Sequence, residues 1–281
     1  MIFKLEHISY KYVGGSNNET LALDDINLTI GEDEFIGIIG QTGSGKSTLV
    51  QHLNGLEIAT EGKIYCDDKC IYDKDFDMRA LRCKVGLVFQ YPEHQLFEST
   101  VFEDVCFGPN NLGLTKEQVE ASAKKALTDV GVDEQLWNKS PFELSGGQKR
   151  KVAIAGILAM EPEVLILDEP ASGLDPKGRD KILDLILSIK EQRHITVIVV
   201  SHSMEDMAKY ASRLIVMNNG RILLDDTPVN VFKNYEKLEE TGLCAPKVTY
   251  LMNKLSERGM PVDKNTIIVD EAIKQLYELL K

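Results

Sequence analysis

No run of apolar residues in this chain approaches the roughly 18 that a membrane-spanning helix needs; the longest are VAIAGILAM (152–160) and ITVIVV (195–200). The chain itself is not expected to cross a bilayer. Its amino terminus, MIFKLEHISYKY, lacks a charged segment followed by an apolar one and reads as an alternating strand, so the cytosol is the expected compartment. An excess of positive charge is missing too. Lys plus Arg number 32 against 44 Asp plus Glu, a formal charge of -12, which disfavours non-specific binding to nucleic acid or anionic lipid. Cysteines stand only at 66, 70, 83, 106 and 244, an odd number that argues against a disulfide framework in a cytosolic chain. Cys66 and Cys70 are close enough to raise a metal site, but no second Cys/His pair lies nearby. With Asp67, Asp68 and Lys69 between them they read as flanking a hairpin turn. There is no long internal repeat and no low-complexity stretch.

What the chain does carry is FIGIIGQTGSGKSTLV (35–50), a short apolar run opening into a glycine-rich loop. Phe35 to Ile39 has the character of a strand buried on both faces, as strands of a parallel sheet are. The loop fits G-x-x-x-x-G-K-[ST] at Gly40, Gly45, Lys46 and Ser47. Gly40, Gly43 and Gly45 permit positive φ, so backbone N–H groups can curl around an anion at the N-terminus of the next helix. Lys46 would reach the β and γ phosphates and Ser47 would take one position on Mg²⁺.

Around this loop, 281 residues allow one large α/β domain with a smaller appendage. Residues 2–12 and 21–39 carry strand-like alternation, separated by the loop GGSNNET (14–20), and predict an antiparallel β region beside the nucleotide. Tyr12 or Tyr10 could stack on a base there. GKIYCDDKCIYD predicts a hairpin, and LRCKVGLVFQ a strand ending in Gln90. Residues 91–150 read as a small helical subdomain, with a helix over 116–131 whose apolar face is Ala121, Ala126, Leu127 and Val130.

Ser145 sits at the N-cap of a helix running to about Met160, and Gly146 and Gly147 leave its first N–H groups uncovered, which makes a second anion-binding helix end. VLILD is another doubly buried strand, closing on Asp168 and Glu169. Beside a phosphate loop, that carboxylate pair suggests a Mg²⁺ partner and an activator of water. ITVIVVSH ends on His202. Ligands of open parallel sheets bind beyond the carboxyl ends of the strands, where the loop, Gln90, Asp168, Glu169 and His202 all fall. After a strand pair over 212–226, Pro228 begins a helical tail. The last helix, AIKQLYELL, presents Ile273, Leu276, Tyr277 and Leu280 on one face, which must pack on the main domain or on another subunit.

GQTGSGKST (40–48), Gln90, LSGGQ (144–148), LILDE (165–169), SGLD (172–175) and His202, in this order, resemble an ATP-binding cassette (ABC) ATPase over residues 1 to about 230. The resemblance implies a P-loop NTPase fold of the ABC type: a RecA-like parallel core sheet, an antiparallel β region and a helical subdomain (about 91–150) within 1–230, with a helical C-terminal extension over 231–281. It implies a head-to-tail dimer sandwiching two ATP molecules, each between one subunit's loop residues (Gly40, Gln41, Thr42, Gly43, Ser44, Gly45, Lys46, Ser47, Thr48) and the other's Ser145, Gly146, Gly147 and Gln148. By the same carry-over Asp168 holds the metal through water and Glu169 polarises the attacking water. His202 steadies the γ-phosphate, Gln90 senses metal and γ-phosphate, Tyr12 stacks on adenine, and Asp175 couples the two sites.

Within that superfamily, FQYPEHQLFESTVFEDVCFGP (89–109), SGLDPKGR (172–179) and the tail are similar to the ATPase subunits of energy-coupling factor (ECF) transporters, most to the second ATPase type. That implies a related ATPase partner, an integral membrane T component, and S components that capture vitamins or transition-metal ions, with this chain on the cytoplasmic face of the membrane. No nucleic acid is expected. Another importer, for amino acids or metal ions, is the nearest alternative. A soluble DNA-repair cassette would need a long coiled coil between loop and LSGGQ, and a small-molecule kinase has no use for LSGGQ.

Overall fold

The computed structural model describes residues 1–13 and 19–279. Most of the expected 14–20 loop, and Leu280 of the terminal stripe, lie outside them. Two sheets form the frame. The first is antiparallel and takes β1 (Phe3–Val13), β2 (Glu19–Ile30), β4 (Glu61–Cys66) and β5 (Lys69–Cys70), with β3 (Phe35–Gly40) and helix α1 (Lys46–Leu53) falling between β2 and β4 in the chain. The expected hairpin is β4–β5, turning through Asp67 and Asp68, both at positive φ.

The alternation over 21–39 is split. Ile30 ends the antiparallel strand, and Phe35–Gly40 leaves for the second sheet because every one of its residues is buried, which only a strand covered on both faces requires. Helix α2 (Met78–Lys84) also departs from expectation: Leu81 to Lys84 are its last turn and not the start of a strand, which is confined to β6 (Val85–Val88). The Asp77 carboxylate caps this helix, accepting from the backbone N–H groups of Arg79 and Ala80 at 2.9 and 3.0 Å.

Helices α3 (Val101–Asn110) and α4 (Lys116–Asp129) follow, then α5 (Gly146–Leu158). The buried face of α4 is Val119, Ala123, Ala126 and Leu127, with Val130 just beyond it; Ala121, expected on that face, is exposed, because the apolar stripe runs from Val119 in steps of three and four. Next come β7 (Val164–Asp168), α6 (Pro176–Arg193), β8 (Thr196–Val200), α7 (Met204–Tyr210), β9 (Arg213–Asn218) and β10 (Arg221–Asp226). The second sheet has the order β10-β9-β3-β8-β7-β6, parallel except for β10. Successive residues of its strands enter different cores: Ile36, Ile166 and Ile198 face the antiparallel sheet and α1, while Leu165, Leu167, Val197 and Val199 face the helices on the other side. Each such fully buried side chain contributes about 1.5–3 kcal/mol.

The tail forms α8 (Pro228–Lys233), α9 (Tyr235–Glu240), α10 (Lys247–Glu257) and α11 (Val269–Leu279). Val231, Phe232, Leu238, Leu243 and Ala245 join the main core, whereas Val248, Met252 and Ala272 make a small cluster of their own. On the α11 stripe Ile273 and Tyr277 are 58% and 63% exposed, while Leu276 is half-buried.

Candidate nucleotide site

The loop from Gly40 to Lys46 is shaped by what cannot fit beside it. Gly45 has φ +99, and a Cβ there would lie 2.5 Å from the Ala22 carbonyl oxygen; Gly43 has φ +81. Both conformations are strained for any other residue. A Cβ on Gly40 would meet the Ser44 Oγ at 2.5 Å, so Ser44 folds over Gly40 and is itself buried. Lys46 is 6% exposed and its Nζ donates to the carbonyls of Gly40 and Gln41 at 2.8 and 2.9 Å. Burial pushes its pKa down, while Glu169 and Asp168 act in the opposite sense.

The strand ends meet this loop. A cleft of about 470 Å³ is bounded by Lys46, Ser47, Gln90, Asp168, Glu169 and His202, so these six expected residues come together. Gln90 lies two residues past β6, Glu169 one past β7 and His202 two past β8. Glu169 occupies the left-handed region at φ +54 and its backbone N–H donates to the Val200 carbonyl. Its Oε1 lies 3.0 Å from His202 Nε2, a contact out of line for a hydrogen bond. Burial, and then the neighbouring Asp168 charge, raises the Glu169 carboxyl to about 7, against the pull of Lys46 and the His202 backbone N–H. Burial and Lys46 lower the His202 pKa, opposed by Asp168 and the Gly40 carbonyl.

That shift has a testable effect on stability. The folded-state pKa is raised from 4.5 to about 7, so ionised Glu169 destabilises the folded chain above pH 7, and the cost disappears below pH 4.5, where both states hold the proton. Glu169→Gln is expected to stabilise the nucleotide-free chain by on the order of 2 kcal/mol at pH 8 and by little at pH 4.5. Thermal melts at the two pH values check this; an equal shift at both would mean that charge burial is not the cause.

Of the two tyrosines, Tyr12 lines the cleft, its hydroxyl 3.2 Å from that of Thr48. Tyr10 lies behind it, edge-on to Tyr12 and to His52, with its hydroxyl donating to Glu57. Thr42 and Gly43 also border the cleft. Ser145 caps α5 with a reciprocal box: its backbone N–H donates to Gln148 Oε1 at 2.9 Å, and its Oγ accepts from the Gln148 N–H. Gln148 is thus turned back onto its own helix. Asp175 caps α6 through Gly178 N–H at 2.7 Å. Ser145, Gly147 and Gln148 border a different cleft, of about 360 Å³, which shares no residue with the first. Arg150, buried on α5, is absent from the residues that the sequence singles out; its phase with Ala153 and Ile154 was the available signal.

Mg²⁺ fits the donors present. Ser47, Gln90 and Asp168 offer a hydroxyl, an amide and a carboxylate, all hard oxygens, on one cleft. Among the described residues there is no group of three or more His, Cys, Asp or Glu that could hold a metal ion.

Residues 23–172 match the family described as ABC transporter. The chain is 52% identical to the energy-coupling factor transporter ATP-binding protein EcfA2 of Clostridium tetani, over 99% of this chain and 97% of that one. Among solved structures it resembles cbiO1 from Clostridium perfringens, described as part of the ABC transporter complex cbiONQ, with TM-score 0.76 and 39% identity over 90% of this chain and 98% of that one. It also resembles the ATP-binding cassette MJ0796, a dimer in a post-hydrolysis state with ADP and Pi, with TM-score 0.71 and 32% identity over 81% of this chain and 99% of that one. Identity sustained from end to end, on a chain whose phosphate loop and strand ends share one cleft, makes it a member of the ABC transporter ATPases and, within them, of the energy-coupling factor transporter ATP-binding proteins.

Proposed function

We propose that this chain hydrolyses ATP on the cytoplasmic face of a membrane to drive uptake through an integral T component and exchangeable S components. The observation that carries this reading is the convergence of Lys46, Ser47, Gln90, Asp168, Glu169 and His202 on one cleft. Loop N–H groups and Lys46 hold the phosphate oxygens, and Tyr12 stacks on adenine. Ser47, Gln90 and Asp168, the last through water, would hold Mg²⁺, which supplies charge neutralisation at the β and γ phosphates. Glu169 orients the attacking water and takes its proton, a role suited to a carboxylate whose pKa lies near neutrality. His202 steadies the γ-phosphate.

The second cleft, at Ser145 and Gly147, supports a pair in which each ATP lies between the loop of one chain and the α5 end of the other. The dimeric MJ0796 relative is consistent with this. A related ATPase is the favoured partner, with Asp175 near the junction and the exposed α11 stripe as a further contact. No helix among the described residues is long and apolar enough to cross a membrane; in this reading the membrane components are other chains. The segment after Gln90 faces them: Phe97 and Phe107 are 58% and 46% exposed beside a groove of about 460 Å³. The division into a cassette over 1–230, a helical subdomain near 91–150 and a tail over 231–281 follows the same reading.

The test is purification from the native membrane with a tag on this chain. A related ATPase, one T component and several small membrane proteins are the expected companions. A single dedicated permease pair, or two copies of this chain with no second ATPase, would overturn the shared-module reading.

A further inference from the structure

Arg150 is charged, lies five residues after Ser145 on α5, and is only 3% exposed. Burying a guanidinium is costly unless its donors are met. Here they are met by two distant segments. Nη2 donates to Glu93 Oε1 and Oε2 at 3.1 and 3.2 Å, and Nε to Oε2 at 3.4 Å. Nη1 donates to the carbonyls of Pro170 and Ser172 at 2.9 and 3.0 Å. Glu93 belongs to the segment after Gln90, and its side chain is 19% exposed. Pro170 directly follows Glu169, and Ser172 stands three residues before Asp175.

We infer that Arg150 is a positioning residue that ties the segment after Gln90 to the segment after Glu169, so that a displacement of either is passed to the other and to α5. This rests on the ATPase reading above and deepens it. The planar guanidinium is a rigid fork whose bonds point in fixed directions. Movement of the Glu93 carboxylate therefore turns the fork, and the fork carries the Pro170 and Ser172 carbonyls with it. Glu93 lies in a single 3₁₀ turn, Pro92–Gln95, and Pro170 to Ser172 in a turn closed by the Ser172 N–H on the Glu169 carbonyl; neither has the ladder bonds that would hold a strand against such a pull. α5 is the third body on the same side chain, so its Ser145 end moves with the other two. A lysine offers a point charge on a flexible stem and cannot bridge a carboxylate and two carbonyls in this geometry.

The experiment is amide hydrogen exchange on the full chain, with and without adenylyl imidodiphosphate as a non-hydrolysed probe. In the unsubstituted chain the nucleotide is expected to protect 40–48, 171–173 and 93–97 together. In Arg150→Lys and in Glu93→Gln, protection of 40–48 is expected to stay within about twofold, while the nucleotide-dependent protection of 93–97 falls by at least about fivefold. Retention of that protection in both variants overturns the inference. So does exchange that quickens equally with and without nucleotide, the mark of simple structural support. If Arg150→Lys does not fold, Glu93→Gln, which keeps the shape of the side chain, decides alone. An unsubstituted chain protected at 40–48 but not at 93–97 also overturns it, whereas one unprotected at 40–48 sinks the nucleotide reading instead.

Discussion

Glu169→Gln is expected to reduce ATP turnover by about 10²–10⁴-fold while leaving nucleotide binding and ATP-dependent pairing intact. The amide has the size of the carboxylate but cannot accept a proton from water, so only the chemical step is lost. The surroundings are already arranged for a base: the residue is held at φ +54, anchored by its N–H to Val200, and desolvated enough to raise its pKa to about 7. Phosphate release measured at saturating ATP tests the first half, and size-exclusion chromatography with ATP tests the second. Phosphate release near the unsubstituted rate would remove Glu169 from the role of base. Loss of pairing together with loss of turnover would make it a structural residue of the cleft.

Lys46→Ala is expected to weaken ATP binding by about 10–100-fold, the loss of one charge-assisted contact of 1.5–3 kcal/mol. The side chain spans the loop from inside, donating to the Gly40 and Gln41 carbonyls, and its charge faces Asp168 and Glu169. Its removal therefore takes a cation from the cleft and leaves two carbonyls without their donor. Titration with a fluorescent ATP analogue reads the effect, and an affinity unchanged within about twofold would count against the cradle. Lys46→Arg is not a rescue, since a planar fork does not fit where a point charge is packed.

The sequence was most readable where burial leaves no choice. Strands β3, β7 and β8 are covered on both faces, so their composition is nearly all aliphatic, and Asp168 at the end of β7 and His202 just past β8 line the cleft. The loop was readable because its glycines answer to close backbone approach. Where two faces differ, the phase was harder to read. Ala121 on α4 is one example: alanine and polar residues alternate there with little contrast, and Val119 sets the register. Tyr10 and Tyr12 are another. They are two apart on β1, and the pairing with β2 shifts between Ile8 and Tyr10 and again between Tyr10 and Lys11; the rings meet edge-on, 4.9 Å between centroids, and only Tyr12 borders the cleft. The run before Val85 reads equally as strand or helix until Asp77 is recognised as a cap. Arg150 stands in a run of three basic residues, KRK, and its burial is explained by long-range partners, Glu93 and the carbonyls of Pro170 and Ser172.

The separation of the Lys46 cleft from the Ser145 cleft has a genetic corollary. In a head-to-tail pair, a lesion at Lys46 and a lesion at Ser145 carried by the same chain spoil two different composite sites. The same two lesions carried one on each chain converge on a single site and spare the other. Complementation between lesions in this chain and lesions in the proposed partner ATPase therefore follows which polypeptide bears each defect, and not how many defects the assembly contains.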